Sequence, residues 1–136
     1  MSAGYSSTSL TKKLGIKSGD KIRLVHAPGD YFSMFTDMPP VTLLADTTTK
    51  KDFIHYFAIN AKDLQVHIAK LRNEIVEDGM IWVSWYKKAA NIPTDVTEEL
   101  IRSLALANGL VDVKVCAVNE QWSGLKLVIP LKDRKL

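Results

Sequence analysis

The sequence predicts an α/β protein, a three-layer sandwich with a mainly parallel sheet and an antiparallel hairpin near its C-terminal end. Three observations carry this. Residues 80–86, MIWVSWY, are mostly apolar with no clean alternation, the pattern of a strand covered on both faces. Strand-like and helix-like stretches alternate along the chain, as parallel strands joined by crossover helices require. Finally, Val111, Val113, Val115 and Ala117 alternate with Asp112, Lys114 and Cys116, and residues 122–129 return after Asn119-Glu120 as an antiparallel partner.

Residues 1–8 are small and polar and read as a tail. Ser9 to Leu14 reads as one helical turn, with Leu10 and Leu14 on one face, broken by Gly15 and Ser18-Gly19-Asp20. A first strand over 22–27 stops at Pro28-Gly29-Asp30, where Asp30 is placed to cap a short helix over 31–37. The pair Pro39-Pro40 ends that element, because proline lacks the amide a helix needs. Residues 41–45 form a second strand ending at Asp46, and a polar loop leads to a third over 53–59. Asn60 then caps a helix with Asp63 in its first turn. Leu64, Ile68, Leu71 and Ile75 make its apolar stripe, and Gly79 closes it. After the central strand, 89–93 is a connector. A further helix opens at Thr94 or Asp95, buries Val96, Leu100, Ile101, Leu104 and Ala105, and ends at Gly109.

The 136 residues are one domain's worth, enough for a real hydrophobic core. A net charge of +3 is too small to imply nucleic acid by itself, although Lys12, Lys13, Lys17, Lys21 and Arg23 concentrate positive charge. A solvated basic surface is the favoured reading of that cluster over a phosphate-binding patch. One cysteine, Cys116, excludes an internal disulfide and a cysteine-based zinc cluster, and fits a reducing compartment. The N-terminal stretch lacks the pattern of a secretion signal and no run reaches the length of a membrane span, so the expectation is a cytoplasmic protein without membrane contact.

Parallel sheets of this kind bind ligands beyond the carboxyl ends of their strands, where connections diverge to opposite faces. The side chains expected there are His26, Gly29 and Asp30, then Asp46, then Asn60, then Tyr86, Lys87 and Lys88. Trp122, beside Ser123-Gly124, is a candidate for contact with a partner at the hairpin surface. Each has a plainer reading. Asp30 and Asp46 cap and solvate loops, the lysines solubilise, and Cys116, with no histidine near it in sequence, is a small, partly buried strand residue. His26, His55 and His67 are too scattered to suggest a metal site.

From Phe53 onward the order of elements resembles the second half of a class I S-adenosylmethionine-dependent methyltransferase, a Rossmann-like fold. Residues 14–22, LGIKSGDKI, resemble the lead-in to its first strand. The loop that follows, His26-Ala27-Pro28-Gly29-Asp30, has one glycine where that fold's cofactor loop has two or three. Asp46 stands where the ribose-binding acid would be, and only six loop residues separate the second and third strands, too few for the helix and strand of the full enzyme. The chain also resembles, almost end to end, a family of short bacterial proteins described only as a domain of unknown function. That likeness rests on Ala3-Gly4-Tyr5-Ser6, residues 12–16, Trp82-Val83-Ser84-Trp85 with Lys87-Lys88, residues 93–98, residues 109–118 and residues 122–126. Tyr86 stands where that pattern places proline.

The resulting expectation is a single Rossmann-like domain, a non-catalytic binding or interaction module for a small molecule or protein, and a possible homodimer. One alternative is an enzyme remnant holding S-adenosylmethionine or a nucleotide through Asp30, Asp46 and Lys87. A second is a weak nucleic-acid binder acting through the cluster from Lys12 to Arg23.

Overall fold

Seven residues at Lys51–Phe57 and twelve at Ile75–Tyr86 form the two strands at the middle of the sheet. The computed structural model describes residues 8–135; most of the tail expected over 1–8 lies outside them. The strands are β1 (Lys21–Val25), β2 (Thr42–Leu43), β3 (Lys51–Phe57), β4 (Ile75–Tyr86), β5 (Val111–Ala117) and β6 (Trp122–Val128), in the order β2-β1-β3-β4-β6-β5. The first four are parallel, and β6 runs antiparallel to both β4 and β5. The sheet is therefore Rossmann-like, mainly parallel, with a closing hairpin.

Alternate residues of β3 and β4 face opposite layers. Ile54, Tyr56, Ile81 and Val83 meet the apolar faces of α2 (Ala61–Leu71) and α3 (Glu98–Ala107), through Leu64, Ile68, Leu71, Ile101 and Ala105. Phe53 and Trp82 point the other way, onto Leu14 of α1 (Leu10–Leu14), and Phe57 meets Tyr31 and Trp122. The second layer is thinner than a helix pair. It consists of the short α1, a 3-10 turn at Tyr31–Met34 and the chain that follows it. α1 forms because the Ser9 side chain accepts from the Lys12 amide, and Gly15 at φ 80° ends it. Trp82 is fully buried, and its indole Nε1 donates to the Leu14 carbonyl at 2.8 Å, tying this layer to the central strand.

Several boundaries differ from the sequence reading. α2 ends at Leu71, and Gly79 lies inside β4 instead of closing a helix. The reason is spatial: a Cβ on Gly79 would stand 3.0 Å from the Lys51 carbonyl oxygen and 3.1 Å from that of Val76. The β3–β4 register shifts between Lys51 and Phe53 beside it, so the glycine marks a strand irregularity. The second strand shrinks to Thr42–Leu43, and α3 starts at Glu98, capped by Thr97 through the Leu100 amide. Asp30 precedes the 3-10 turn but makes no side-chain cap. On β5, Val113 and Val115 are exposed, because an outermost strand has cover on one flank only.

Gly79→Ala should destabilise the fold by about 1–2 kcal/mol, since the crowding atoms, two carbonyl oxygens and the Ile75 Cβ, cannot rotate away. Urea unfolding of both forms checks this; an unchanged midpoint would show that β4 can shift to make room.

Candidate functional site

The connection leaving β1 packs on the α1 side of the sheet, whereas α2, leaving β3, packs on the other. The gap between the carboxyl ends of β1 and β3 is therefore the point where connections diverge. His26, the first residue past β1, has φ 56°, an unusual conformation for a side chain larger than glycine. Its Nε2 lies 3.2 Å from Oδ2 of Asp63, and its ring stands edge-on to Tyr56 and His67. Asn60 positions Asp63: its side-chain oxygen accepts the Asp63 amide at 2.8 Å and fixes the first turn of α2. One helical turn on, His67 Nδ1 bonds the backbone carbonyl of Asp63 at 2.9 Å and lies 3.4 Å from its Oδ1. The Tyr56 hydroxyl donates to Asp63 Oδ2.

One carboxylate is thus shared by a phenol and two imidazoles, all rooted in β1, β3 and α2. The Tyr56 hydrogen bond is the main influence holding Asp63 below the usual carboxylate range, with the two imidazoles adding to it against partial burial. Burial, then Asp63, pushes the Tyr56 phenol upward. Among the described residues no group of three or more His, Cys, Asp or Glu side chains could hold a metal ion.

The other candidates separate. Gly29 and Asp30 are exposed in the loop after His26. Asp46 does not join the strand-end cluster: its Oδ2 accepts from the amides of Thr48 and Thr49 and faces Lys51. The Thr49 contacts dominate in holding that carboxylate well below its ordinary value. Tyr86, Lys87 and Lys88 border a groove of about 580 Å³ between the end of β4 and the start of α3, together with Trp85, Pro93 and Thr97. Trp122 is not a surface residue. It is 4% exposed, stacked on Tyr86 at 4.0 Å and edge-on to Phe57, because its side of β6 lies under the Tyr31 segment. Tyr86, in the position of the expected proline, keeps β4 going for that stack.

Tyr56, Asp63 and His67 were not among the candidates. The signal was a capped helix with aspartate and histidine four apart, which puts both on one face. Which strand residue they would meet depends on sheet order.

Two polar networks lie deeper. His55 is fully buried, with Nδ1 2.9 Å from the Tyr31 hydroxyl and Nε2 2.7 Å from Ser84 Oγ. Burial lowers its pKa to about 3. Beside α2, Glu74 takes Arg23 in a two-pronged contact at 2.6 and 3.1 Å and lies 3.4 Å from the buried Lys51 ammonium. These charges occupy the α2 side of β1. The loop after β2 supplies no helix there, and a groove of about 460 Å³ is left, lined by Arg23, Thr47, His67, Lys70, Asn73 and Glu74.

The unfolded chain binds a proton at His55 from about pH 6.5 downward while the folded chain does not until about pH 3, so His55 makes stability fall as pH falls through that window. Melting temperatures across it should drop more steeply for the native chain than for a His55→Gln variant; parallel curves would refute this. Glu74→Gln leaves Arg23 and Lys51 without their shared carboxylate and should cost about 3 kcal/mol in chemical denaturation.

No protein-family model matches the chain, and no curated protein matches its sequence. Among solved structures, a type 11 methyltransferase assignment from Sulfolobus solfataricus superposes with a TM-score of 0.65 at 15% identity, covering 93% of this chain and 93% of that one. A ribosomal protein L11 methylase from Lactobacillus delbrueckii subsp. bulgaricus gives 0.58 at 14% identity, over 93% of this chain and 76% of that chain. An S-adenosylmethionine-dependent methyltransferase from Clostridium acetobutylicum gives 0.58 at 9% identity, over 88% and 87%. The chain shares the fold of these proteins. Among the described residues, no helix is long and apolar enough to cross a membrane.

Proposed function

We propose that this chain is a non-catalytic binding module on a methyltransferase-like fold, and that it takes a small molecule in the groove beside Trp85 and Lys87. The observation carrying this is the use of Asp63 at the divergence point: its carboxylate is committed to Tyr56, His26 and His67. Two further observations speak against S-adenosylmethionine there. The loop after β1 carries one glycine, Gly29, which leaves fewer positions where backbone could approach a cofactor, and Asp46 turns Oδ2 onto Thr48 and Thr49. On this reading the strand tips hold their own side chains where a methyltransferase would hold its cofactor.

The groove at the end of β4 is a concavity at the strand tips. Its volume of about 580 Å³ is within the range of small-molecule sites. Trp85, Pro93 and Val96 offer apolar wall, while Lys87, Lys88, Glu98 and Glu99 offer polar contacts of both signs, which suit a small ligand carrying both charges.

A thermal-shift series with S-adenosylmethionine, its demethylated product and common nucleotides should show no stabilisation. A true ligand at a hundredfold its dissociation constant would add about 2.7 kcal/mol. Stabilisation by S-adenosylmethionine would overturn the reading. Small metabolites carrying both a carboxylate and a positive charge should instead perturb the Trp85 indole resonance, and Lys87→Ala should abolish that response.

A further inference from the structure

On the α1 side of the hairpin, β5 and β6 are registered so that Lys114 stands directly opposite Lys126. Like charges paired across antiparallel strands repel, so this arrangement works against the hairpin's own stability. The surroundings add to the repulsion. Burial is the first cause lowering the Lys126 ammonium, with Lys114 and Lys17 acting in the same direction. Lys13, Lys87 and Lys114 act on Cys116, the β5 residue that follows two positions on; they oppose the burial that raises its thiol. Lys114 and Lys126 therefore stand side by side on the α1 side, and the charges of Lys13, Lys17 and Lys87, from α1, the loop after it and the end of β4, reach this pair or the neighbouring Cys116. Among the described residues none of these ammoniums pairs with a carboxylate. The acid beside Lys17, Asp20, is turned onto the Lys17 backbone amide at 2.9 Å.

The N-terminal basic cluster seen in the sequence does not act as one unit. Arg23 is consumed by Glu74, and Lys12 lies where its charge acts on Asp37. Lys13 and Lys17 instead join Lys87, Lys114 and Lys126, distant in sequence and brought near by the sheet order.

We propose that this face docks the phosphate backbone of a nucleic acid without reading its sequence. Its composition selects that partner over an acidic protein. Protein interfaces are depleted in lysine and are anchored by buried aromatic, Met or Arg side chains. This face presents lysines, and its aromatic neighbour Trp122 is buried in the core. Lysine is a point charge suited to phosphate, and a face without arginine lacks the two-pronged donor that reads guanine. The proposal does not depend on the groove at the end of β4: Lys87 borders both, but Lys13, Lys17, Lys114 and Lys126 lie outside the groove.

The test is fluorescence anisotropy of a labelled 20-nucleotide RNA of mixed sequence with the full chain, over a range of salt concentrations. With all five lysines engaged, the logarithm of affinity should fall with the logarithm of salt at a slope of about −3.5, at about 0.7 per phosphate for single strands. Lys114→Gln with Lys126→Gln should reduce the slope to about −2 and weaken binding by about tenfold at low salt. The melting temperature of that variant should hold or rise, since the change relieves repulsion. Lys114→Arg with Lys126→Arg should bind as the native chain does, as should a control pair of equal charge loss elsewhere, Lys62→Gln with Lys132→Gln. Absence of binding at low salt, an equal loss in the control pair, or poly-glutamate binding as tightly as RNA would each overturn the proposal.

Discussion

The indole of Trp82 donating to the Leu14 carbonyl stands for the constraint that shapes this molecule: β3 and residues 81–84 of β4 have no wet face. A buried donor without a partner costs a good part of its hydration, so each polar group in the middle of the sheet has to be matched from inside. Trp82 is matched by the end of α1, and His55 by Tyr31 and Ser84. The thin layer on that side is therefore not optional packing. α1 and the Tyr31 turn bring the acceptors and hydroxyls that make aromatic and imidazole side chains tolerable at the centre.

The opposite side shows what happens where a layer is incomplete. α2 and α3 cover β3, β4 and the hairpin with aliphatic side chains, but the connection from β2 to β3 is a loop. The matching stretch of β1 is not aliphatic throughout: Arg23 occupies it, held by Glu74 with Lys51 behind. An ion cluster suits such a place better than leucine would, because it can border a water-filled groove on one side and the core on the other. The short connection thus accounts for the charge distribution.

Much of the scaffold was legible because its signals are local. Asn60 before Asp63, Ser9 before Lys12 and the unbroken apolar run through Trp82 and Trp85 each state their element without help from elsewhere. What misled were residues whose meaning depends on a distant neighbour. Gly79 has the look of a helix terminator, and only the Lys51 carbonyl facing it shows why a strand needs glycine there. Ile75 continues the helical stripe of Leu64, Ile68 and Leu71 by spacing, yet belongs to β4. Val113 and Val115 alternate like buried residues but sit on the outermost strand, and Trp122 looked exposed because it lies next to a turn. Of the candidate site, His26 and Asn60 were placed correctly at the strand ends, while Tyr56, Asp63 and His67 required knowing that β1 and β3 are neighbours.

The division between interior and rim also bears on what the fold can keep and what it can lose. The matched groups at the sheet centre depend on one another through buried hydrogen bonds, so single changes there strand a partner. At the strand tips the side chains are half-exposed, and water can replace a lost contact. Asp63 at 36% side-chain exposure and His26 at 46% belong to this tolerant zone. A shared fold at 15% identity with a methyltransferase assignment is then compatible with strand tips that hold their own side chains in place of a ligand.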